Sequence, residues 1–325
     1  AGGALNHNRG ALGEMDRERI PVCLVVGFLG SGKTTFLKQI IRKYAGKRLA
    51  FIINEWSSLD VDGAMIHREH DKVVCLAGGS VFCKCLSGQF IQTLKDLPRA
   101  LHIPSCEGVV VEASGIADPG VAGKMLRESG LDALYYLSDI VAVVDPGNIA
   151  VLLEKLPNIK AQLTAADKII LNKVDVYSGE EVSTAERTVR SLNEHAALCR
   201  AVQCDADISL FGKKSQDGFS GNYALCADPN FCSVCAEVKD SIDLDRLQNA
   251  LNAYQEVLFR GKGFVRGPDG PVYLDWTPST VSRFDLPDYE GKLGFVLIGA
   301  GDKLAVLRTI AARIESGAFG VPQDS

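Results

Sequence analysis

GFLGSGKTT, Gly27–Thr35, follows the apolar run VCLVVG and precedes a segment with helical spacing. It fits G-x-x-x-x-G-K-[ST] in the strand-then-helix setting the pattern needs. Gly30 and Gly32 let the backbone curl, so that N–H groups across Gly30, Ser31, Gly32, Lys33, Thr34 and Thr35 point at phosphate oxygens. The N-terminus of the helix adds its dipole. Lys33 reaches the β- and γ-phosphates, and the Thr34 hydroxyl is placed to coordinate Mg²⁺. A glycine-rich turn that merely caps a helix would not need this set of residues in this context.

Two further segments complete a nucleotide site. IILNKVD, Ile169–Asp175, puts Asn172-Lys173-x-Asp175 at a strand end. A carboxylate there accepts both the ring N–H and the exocyclic amine of guanine, a pair that adenine lacks, so GTP and GDP are the expected nucleotides. VVVEASGIADP, Val109–Pro119, supplies an acidic strand end. Glu112 is read as holding a Mg²⁺-bound water or orienting the attacking one, with Ser114 and Gly115 near the γ-phosphate. The plainer alternative is that Glu112 only caps the next segment.

Outward from these motifs, VCLVVG, LAFIIN, KVVCLA, GVVVEA, DIVAVVD and DKIILN are short apolar runs separated by amphipathic stretches such as 34–44 and 180–195. Runs of this kind suit parallel strands covered on both faces. The expected fold is α/β, a doubly wound, mostly parallel sheet over 21–203. Residues 204–236, rich in Gly, Ser, Asp, Asn and Cys, read as an irregular insertion. A smaller α+β domain follows over 237–320. It should hold a helix opened by Asp243 or Asp245, a hairpin turning at 267–270, a strand KLGFVLIGA and a last helix over 302–314. Residues 1–20 read as a polar lead-in or tag remnant.

Composition narrows the classes. Hydrophobic residues make up 46% of 325 and charged ones 23%, ordinary for a globular protein. No run of 18 apolar residues occurs, so no membrane span is expected. A net charge of −5 gives no general attraction for nucleic acid. Without a secretory signal, the ten cysteines point to reduced thiols or metal ligands and a cytoplasmic protein.

In order along the chain, GFLGSGKTT, NEWSSLDVDG, GGSVFCKC, VVVEASGIADP and LNKVD resemble the motifs of CobW-type P-loop GTPases, relatives of the urease and hydrogenase nickel-insertion GTPases. FRGKGFVRGPDG, Phe259–Gly270, is similar to part of the CobW C-terminal domain, so the resemblance covers about residues 20–318. It implies binding of GTP and Mg²⁺, slow hydrolysis, and coupling to delivery of a transition metal (Zn, Co or Fe) or activation of a client metalloenzyme. By position it assigns Asn54-Glu55 to the switch segment, with Glu55 beside Lys33 and Glu112 as catalytic candidates. Glu112, Ser114 and Asp118 match the E-[ST]-[ST]-G-x-[AG]-D-P segment, with Ala113 in place of the first hydroxyl residue.

Two departures stand out. Trp56-Ser57 replaces the family's Phe-Gly after Asn54-Glu55. The Cys-x-Cys-Cys metal motif is reduced to Cys83-Lys84-Cys85. Thiolates one residue apart can share one soft ion, Zn²⁺, Cu⁺ or an iron–sulfur cluster, and Lys84 favours their ionisation. Further ligands could come from Cys75, Glu55, His67 or His70, or from a second copy donating its own pair in a homodimer. Cys232 and Cys235, with Cys226 upstream and Cys199 and Cys204 before them, form a second candidate half-site. Cys23 and Cys106 read as small buried hydrophobes. An altered motif fits a specialised client, such as a corrinoid- or iron-dependent enzyme. Two other classes stay open, a nucleotide-gated scaffold with structural cysteines and a redox sensor with a reversible disulfide.

Overall fold

A computed structural model describes residues 19–55, 73–77, 87–100, 106–115, 117–147, 149–212, 231–287 and 289–320. Seven parallel strands form the first sheet: β1 (Ile20–Val26), β2 (Leu49–Glu55), β3 (Val73–Ala77), β4 (Gly108–Glu112), β5 (Tyr135–Val144), β6 (Lys168–Leu171) and β7 (Ala197–Arg200). Their order is β3-β2-β4-β1-β5-β6-β7. From β1 the chain runs out to β2 and β3, returns to β4, then crosses to the other side of β1 for the last three strands. The reversal leaves a crevice beyond the carboxyl end of β1, where ligands bind in open α/β sheets.

Alternate side chains of each strand enter two apolar layers. On one face Cys23, Val25, Phe51, Ile53, Val110 and Val143 pack with Phe36, Leu37 and Ile40 of α1 (Lys33–Lys43). On the other face Leu24, Val26, Ile52, Val109, Val111 and Ala142 meet α2 (Ser87–Ala100), α3 (Gly120–Glu128), α5 (Pro157–Ala165) and α6 (Gly179–Leu192), and Ile149 at the start of α4 (Ile149–Lys155) packs there too. Each such Val, Leu or Ile contributes about 1.5–3 kcal/mol on burial. The Ser178–Glu181 capping box starts α6: the Ser178 hydroxyl accepts from the Glu181 N–H, and the Glu181 carboxylate accepts from the Ser178 N–H.

The second domain is a five-stranded antiparallel sheet of β8 (Phe231–Glu237), β9 (Leu258–Gly267), β10 (Gly270–Trp276), β11 (Val281–Asp285) and β12 (Gly294–Ala300), in the order β11-β10-β9-β12-β8. One face is covered by α7 (Leu244–Asn252) and α8 (Leu304–Glu315), around Trp276, Phe295, Leu247, Leu251 and Leu307. Asp243 caps α7, accepting from the Asp245 and Arg246 N–H groups. The other face carries Phe264, Tyr273, Leu286, Val296 and Ile298, and Leu29 of the first domain packs on it.

Two expectations change. The reading of 204–236 as an irregular insertion fails at both ends. Cys204, Ile208 and Leu210 belong to the first domain's core, and Phe231–Glu237 is a strand paired with β12. The inward set of β8, Cys232, Val234 and Ala236, is too weakly apolar to give a clear period-2 signal. The short strand β7 is not among the expected runs because ALCR holds no β-branched or aromatic residue. No helix among the described residues is long and apolar enough to cross a membrane.

Candidate nucleotide site

The crevice beyond β1 is occupied by the loop between β1 and α1. Gly32, the N-cap of α1, has φ 114°, where L side chains are strained. A Cβ there would lie 2.3 Å from Asn172 Nδ2. Lys33 is 5% exposed; its Nζ donates to the Gly27 carbonyl at 3.0 Å and lies 4.0 Å from Glu112 Oε1. The ammonium is therefore held over its own loop, beside the carboxylate that ends β4.

Asn172 acts as a clamp. It is 2% exposed; Nδ2 donates to the Ser31 carbonyl at 2.9 Å, and Oδ1 accepts from the Cys204 N–H at 2.8 Å. The phosphate loop, the base motif and the segment after β7 are thereby locked together. Gln203 and Cys204 both take left-handed backbone, φ 52° and 54°. Sequence reasoning did not assign that bend to the nucleotide site, because no glycine or asparagine marks it. The Cys204 thiol donates to the Gly32 carbonyl at 3.3 Å, and burial pushes its pKa up to about 12. In this neutral form it supports the loop.

Lys173 also has positive φ, 59°. Its Nζ donates to Asp145 Oδ2 at 3.0 Å and to Thr280 Oγ1 at 3.0 Å. Asp145 directly follows β5 within VVDPG, a carboxylate before a Pro-Gly turn, which is the sequence signal that could have flagged it. Asp175 is exposed at the rim, in the turn after β6.

At the opposite end, Asn54 crosses three strand ends: Nδ2 donates to the Leu76 carbonyl at 3.3 Å, and Oδ1 accepts from the Ser114 N–H at 3.2 Å. Gly115 lies against Leu29, and buried Gln162 of α5 donates to the Gly115 and Ala117 carbonyls at 3.2 and 2.9 Å. Gln162, a buried amide inside an apolar helix face, was also missed. Asp118 accepts from the Gly120 N–H at 2.9 Å, opening α3. Ser31 Oγ and Ser114 Oγ are buried and have no hydrogen-bond partner among the described residues. With Glu112 and Thr34 nearby in the chain, the donor set is hard oxygen, which fits Mg²⁺.

The phosphate loop and the base motif meet at one cavity of about 240 Å³, whose lining does not include Glu112, Ser114 or Gly115. Its lining joins Gly30, Gly32, Lys33, Thr34 and Thr35 to Asn172, Lys173 and Asp175, with Arg260 and Thr280 of the second domain opposite.

The metal candidates fare differently. Glu55 ends β2 and Cys75 lies in β3, but their side chains fall outside what is described, and Cys83, Cys85, His67, His70, Trp56 and Cys226 lie outside the described residues. Cys232 and Cys235 do not converge on one ion. They stand three apart on β8, opposite Gly299 and Val296, so they face opposite sides of the sheet. Cys232 packs inward and donates to the Ala300 carbonyl at 3.0 Å, while Cys235 is exposed. Cys199 on β7 donates to the Ile169 carbonyl, at 3.7 Å. Among the described residues no three His, Cys, Asp or Glu groups come together as a metal site. Cys23 is fully buried in the core, and Cys106 packs against it.

Residues 21–200 match the family model for the CobW/HypB/UreG nucleotide-binding domain. The zinc chaperone YjiA of Escherichia coli is 31% identical over 263 residues, 76% of this chain and 81% of that protein. Zinc-regulated GTPase metalloprotein activator 1 is 29% identical over 238 residues in Schizosaccharomyces pombe, covering 67% of this chain and 56% of that protein. The homologue of the same name in Saccharomyces cerevisiae is 30% identical over 219 residues, 59% of this chain and 50% of that protein. The chain thus spans about half the length of the two fungal proteins. A phosphate loop clamped by Asn172, a base motif at the same cavity and this sequence match over more than half of its length together establish that the chain belongs to the CobW/HypB/UreG family.

Proposed function

We propose that this chain is a GTP-hydrolysing metallochaperone or metalloprotein activator in which nucleotide state governs a soft-metal site at Cys83 and Cys85. The observation that carries the nucleotide half is the convergence of Lys33 and Thr34 with Asn172, Lys173 and Asp175 on one cavity. Asp175 reads the guanine edge. Lys33 and the loop N–H groups offset charge on the transferring phosphoryl group, and Glu112 or Glu55 orients the attacking water. Thr34, with Glu112 through water, would hold Mg²⁺, which would supply positive charge to offset that of the phosphates.

The metal half is supported by the names of the relatives, a zinc chaperone and zinc-regulated activators. Zinc is accordingly the favoured cargo over cobalt or an iron–sulfur cluster. Cys83 and Cys85 fill two positions of a tetrahedral thiolate site, and a second copy or a client metalloprotein completes it. Cys83 and Cys85 follow the switch segment that the resemblance assigns to Asn54-Glu55, and on that reading GTP binding and hydrolysis would load and release the ion.

Anaerobic purification followed by elemental analysis, with and without GTP and Mg²⁺, tests both halves. The expected result is zinc bound in fixed ratio, lost in the Cys83→Ala/Cys85→Ala protein, together with preference for GTP over ATP. A chain that refuses added Zn²⁺, Co²⁺, Ni²⁺ and Fe²⁺ would remove the metal half and leave a nucleotide-gated scaffold.

A further inference from the structure

We infer that the second domain is a working wall of the nucleotide site, with Thr280 as the positioning residue for Lys173, so that nucleotide affinity and domain docking are linked. The inference rests on the guanine-nucleotide reading above and names its regulation. Its starting point is that Arg260, Asp275, Thr277, Thr280, Val281 and Ser282 line the same cavity as Lys33 and Thr34.

The turn joining β10 to β11 is rigid by its own bonds. The Thr277 N–H donates to the Thr280 carbonyl at 2.8 Å, and the Thr280 N–H donates to Thr277 Oγ1 at 3.0 Å. Three contacts then tie it to the first domain. Thr280 Oγ1 accepts from Lys173 Nζ at 3.0 Å, and Ser279 Oγ donates to Asp145 Oδ2 at 3.4 Å. The Thr277 methyl sits so close to Gly30 that a Cβ on that glycine would be 2.3 Å from it.

The variable positions of the phosphate loop join the same interface. The Phe28 ring meets Phe259 edge-on with centroids 6.0 Å apart, and Leu29 packs on the outer face of the second sheet. Arg260, 6% exposed, is fixed by two bonds to Asp275 at 2.9 and 2.7 Å, which places a guanidinium–carboxylate pair on the wall.

Lys173 holds a left-handed backbone and is gripped from two sides, by Asp145 of its own domain and by Thr280 of the other. Moving the second domain therefore leaves the Lys173 ammonium to Asp145 alone, removes one side of the cavity and uncovers the loop at Phe28–Gly30. By reciprocity, a nucleotide that needs this arrangement tightens the docking, and a partner that pulls the second domain away promotes nucleotide release.

Thr280→Val removes the hydroxyl, keeps the shape and leaves the Thr277 N–H to Thr280 carbonyl bond in place. The bond from Lys173 and the 2.9 Å contact with Thr277 Oγ1 are lost together, and GTP and GDP should bind about tenfold to 100-fold more weakly, the effect of losing a hydrogen bond to a charged group. Thr280→Ser should restore affinity, and without nucleotide Thr280→Val should still unfold in one transition, a few degrees below wild type, while Thr280→Ser matches it. In the wild-type chain, GDP with Mg²⁺ should slow amide hydrogen exchange across 258–285 as well as 27–35. Unchanged affinity in Thr280→Val, or protection confined to 27–35 and 172–176, would overturn the linkage and leave the GTPase reading standing. A wild-type chain that binds no guanine nucleotide would overturn that reading and the linkage with it.

Discussion

Gly32→Ala should weaken GTP and GDP binding by about 100-fold or more while the chain still folds. The new methyl would sit 2.3 Å from Asn172 Nδ2 and 3.1 Å from Cys204 Sγ, on backbone with φ 114°. Asn172 cannot yield cheaply, since it is buried and already bonded to the Ser31 carbonyl and the Cys204 N–H. Either the loop leaves its phosphate-binding curl, or the clamp breaks. Left-handed strain on a non-glycine residue costs about 1–2 kcal/mol, and a buried group left without its partner costs about 1–3 kcal/mol more. Folding should survive because β1 and α1 are held by their own core residues. Titration with a fluorescent guanine nucleotide, beside a thermal melt, reads the two effects separately. Gly46→Ala is the control, because a Cβ there meets nothing within 4 Å. An affinity within a few-fold of wild type would mean that the clamp does not order the loop.

The parts of this site that were legible in the sequence are those whose chemistry fixes residue type at short spacing. Gly30, Gly32, Lys33 and Thr34 stand within one turn of chain, and Asn172, Lys173 and Asp175 within another. The parallel sheet was legible for a similar reason, since strands buried on both faces must be apolar throughout. What escaped was long-range. Thr280 meets Lys173 across 107 positions of chain, and Cys204 meets Gly32 across 172. Nothing local distinguishes Thr280 from any hydroxyl in a turn. Strand β8 was obscured because cysteine and alanine do the inward packing that valine or isoleucine would advertise.

The same distinction separates the cysteines. Spacing alone suggested two half-sites, but spacing means different things on different backbones. Three residues apart on a helix or a tight turn brings thiols together, whereas on β8 it sends Cys232 and Cys235 to opposite faces. The metal reading therefore loses the Cys232–Cys235 half-site and keeps Cys83 and Cys85, with Cys75 as a further candidate. The folded first domain also accounts for Cys23 and Cys204 as packing and loop-supporting residues, without any metal chemistry.

Asp175→Asn should exchange the base that the site accepts. The carboxylate offers two acceptors to guanine's ring N–H and exocyclic amine, and the cavity places Asp175 with Lys173 and the phosphate loop around one ligand. An asparagine amide keeps one acceptor and turns a donor toward the guanine amine, so one bond is lost and two donors face each other. With bonds to a charged group at about 1.5–3 kcal/mol each, GTP binding should fall by about 100-fold to 1,000-fold. Xanthosine triphosphate carries a carbonyl where guanine has the amine, so it should bind the variant better than GTP does, while ATP gains nothing. Asn172→Ala gives the contrasting result. Because Asn172 bonds the Ser31 carbonyl and the Cys204 N–H, its loss should weaken GTP, GDP and xanthosine triphosphate by the same factor. Competition binding of the three nucleotides to both variants decides it. A change of preference confined to Asp175→Asn assigns base reading to the carboxylate and loop support to the amide. Equal losses for every nucleotide in Asp175→Asn would place the base elsewhere in the cavity.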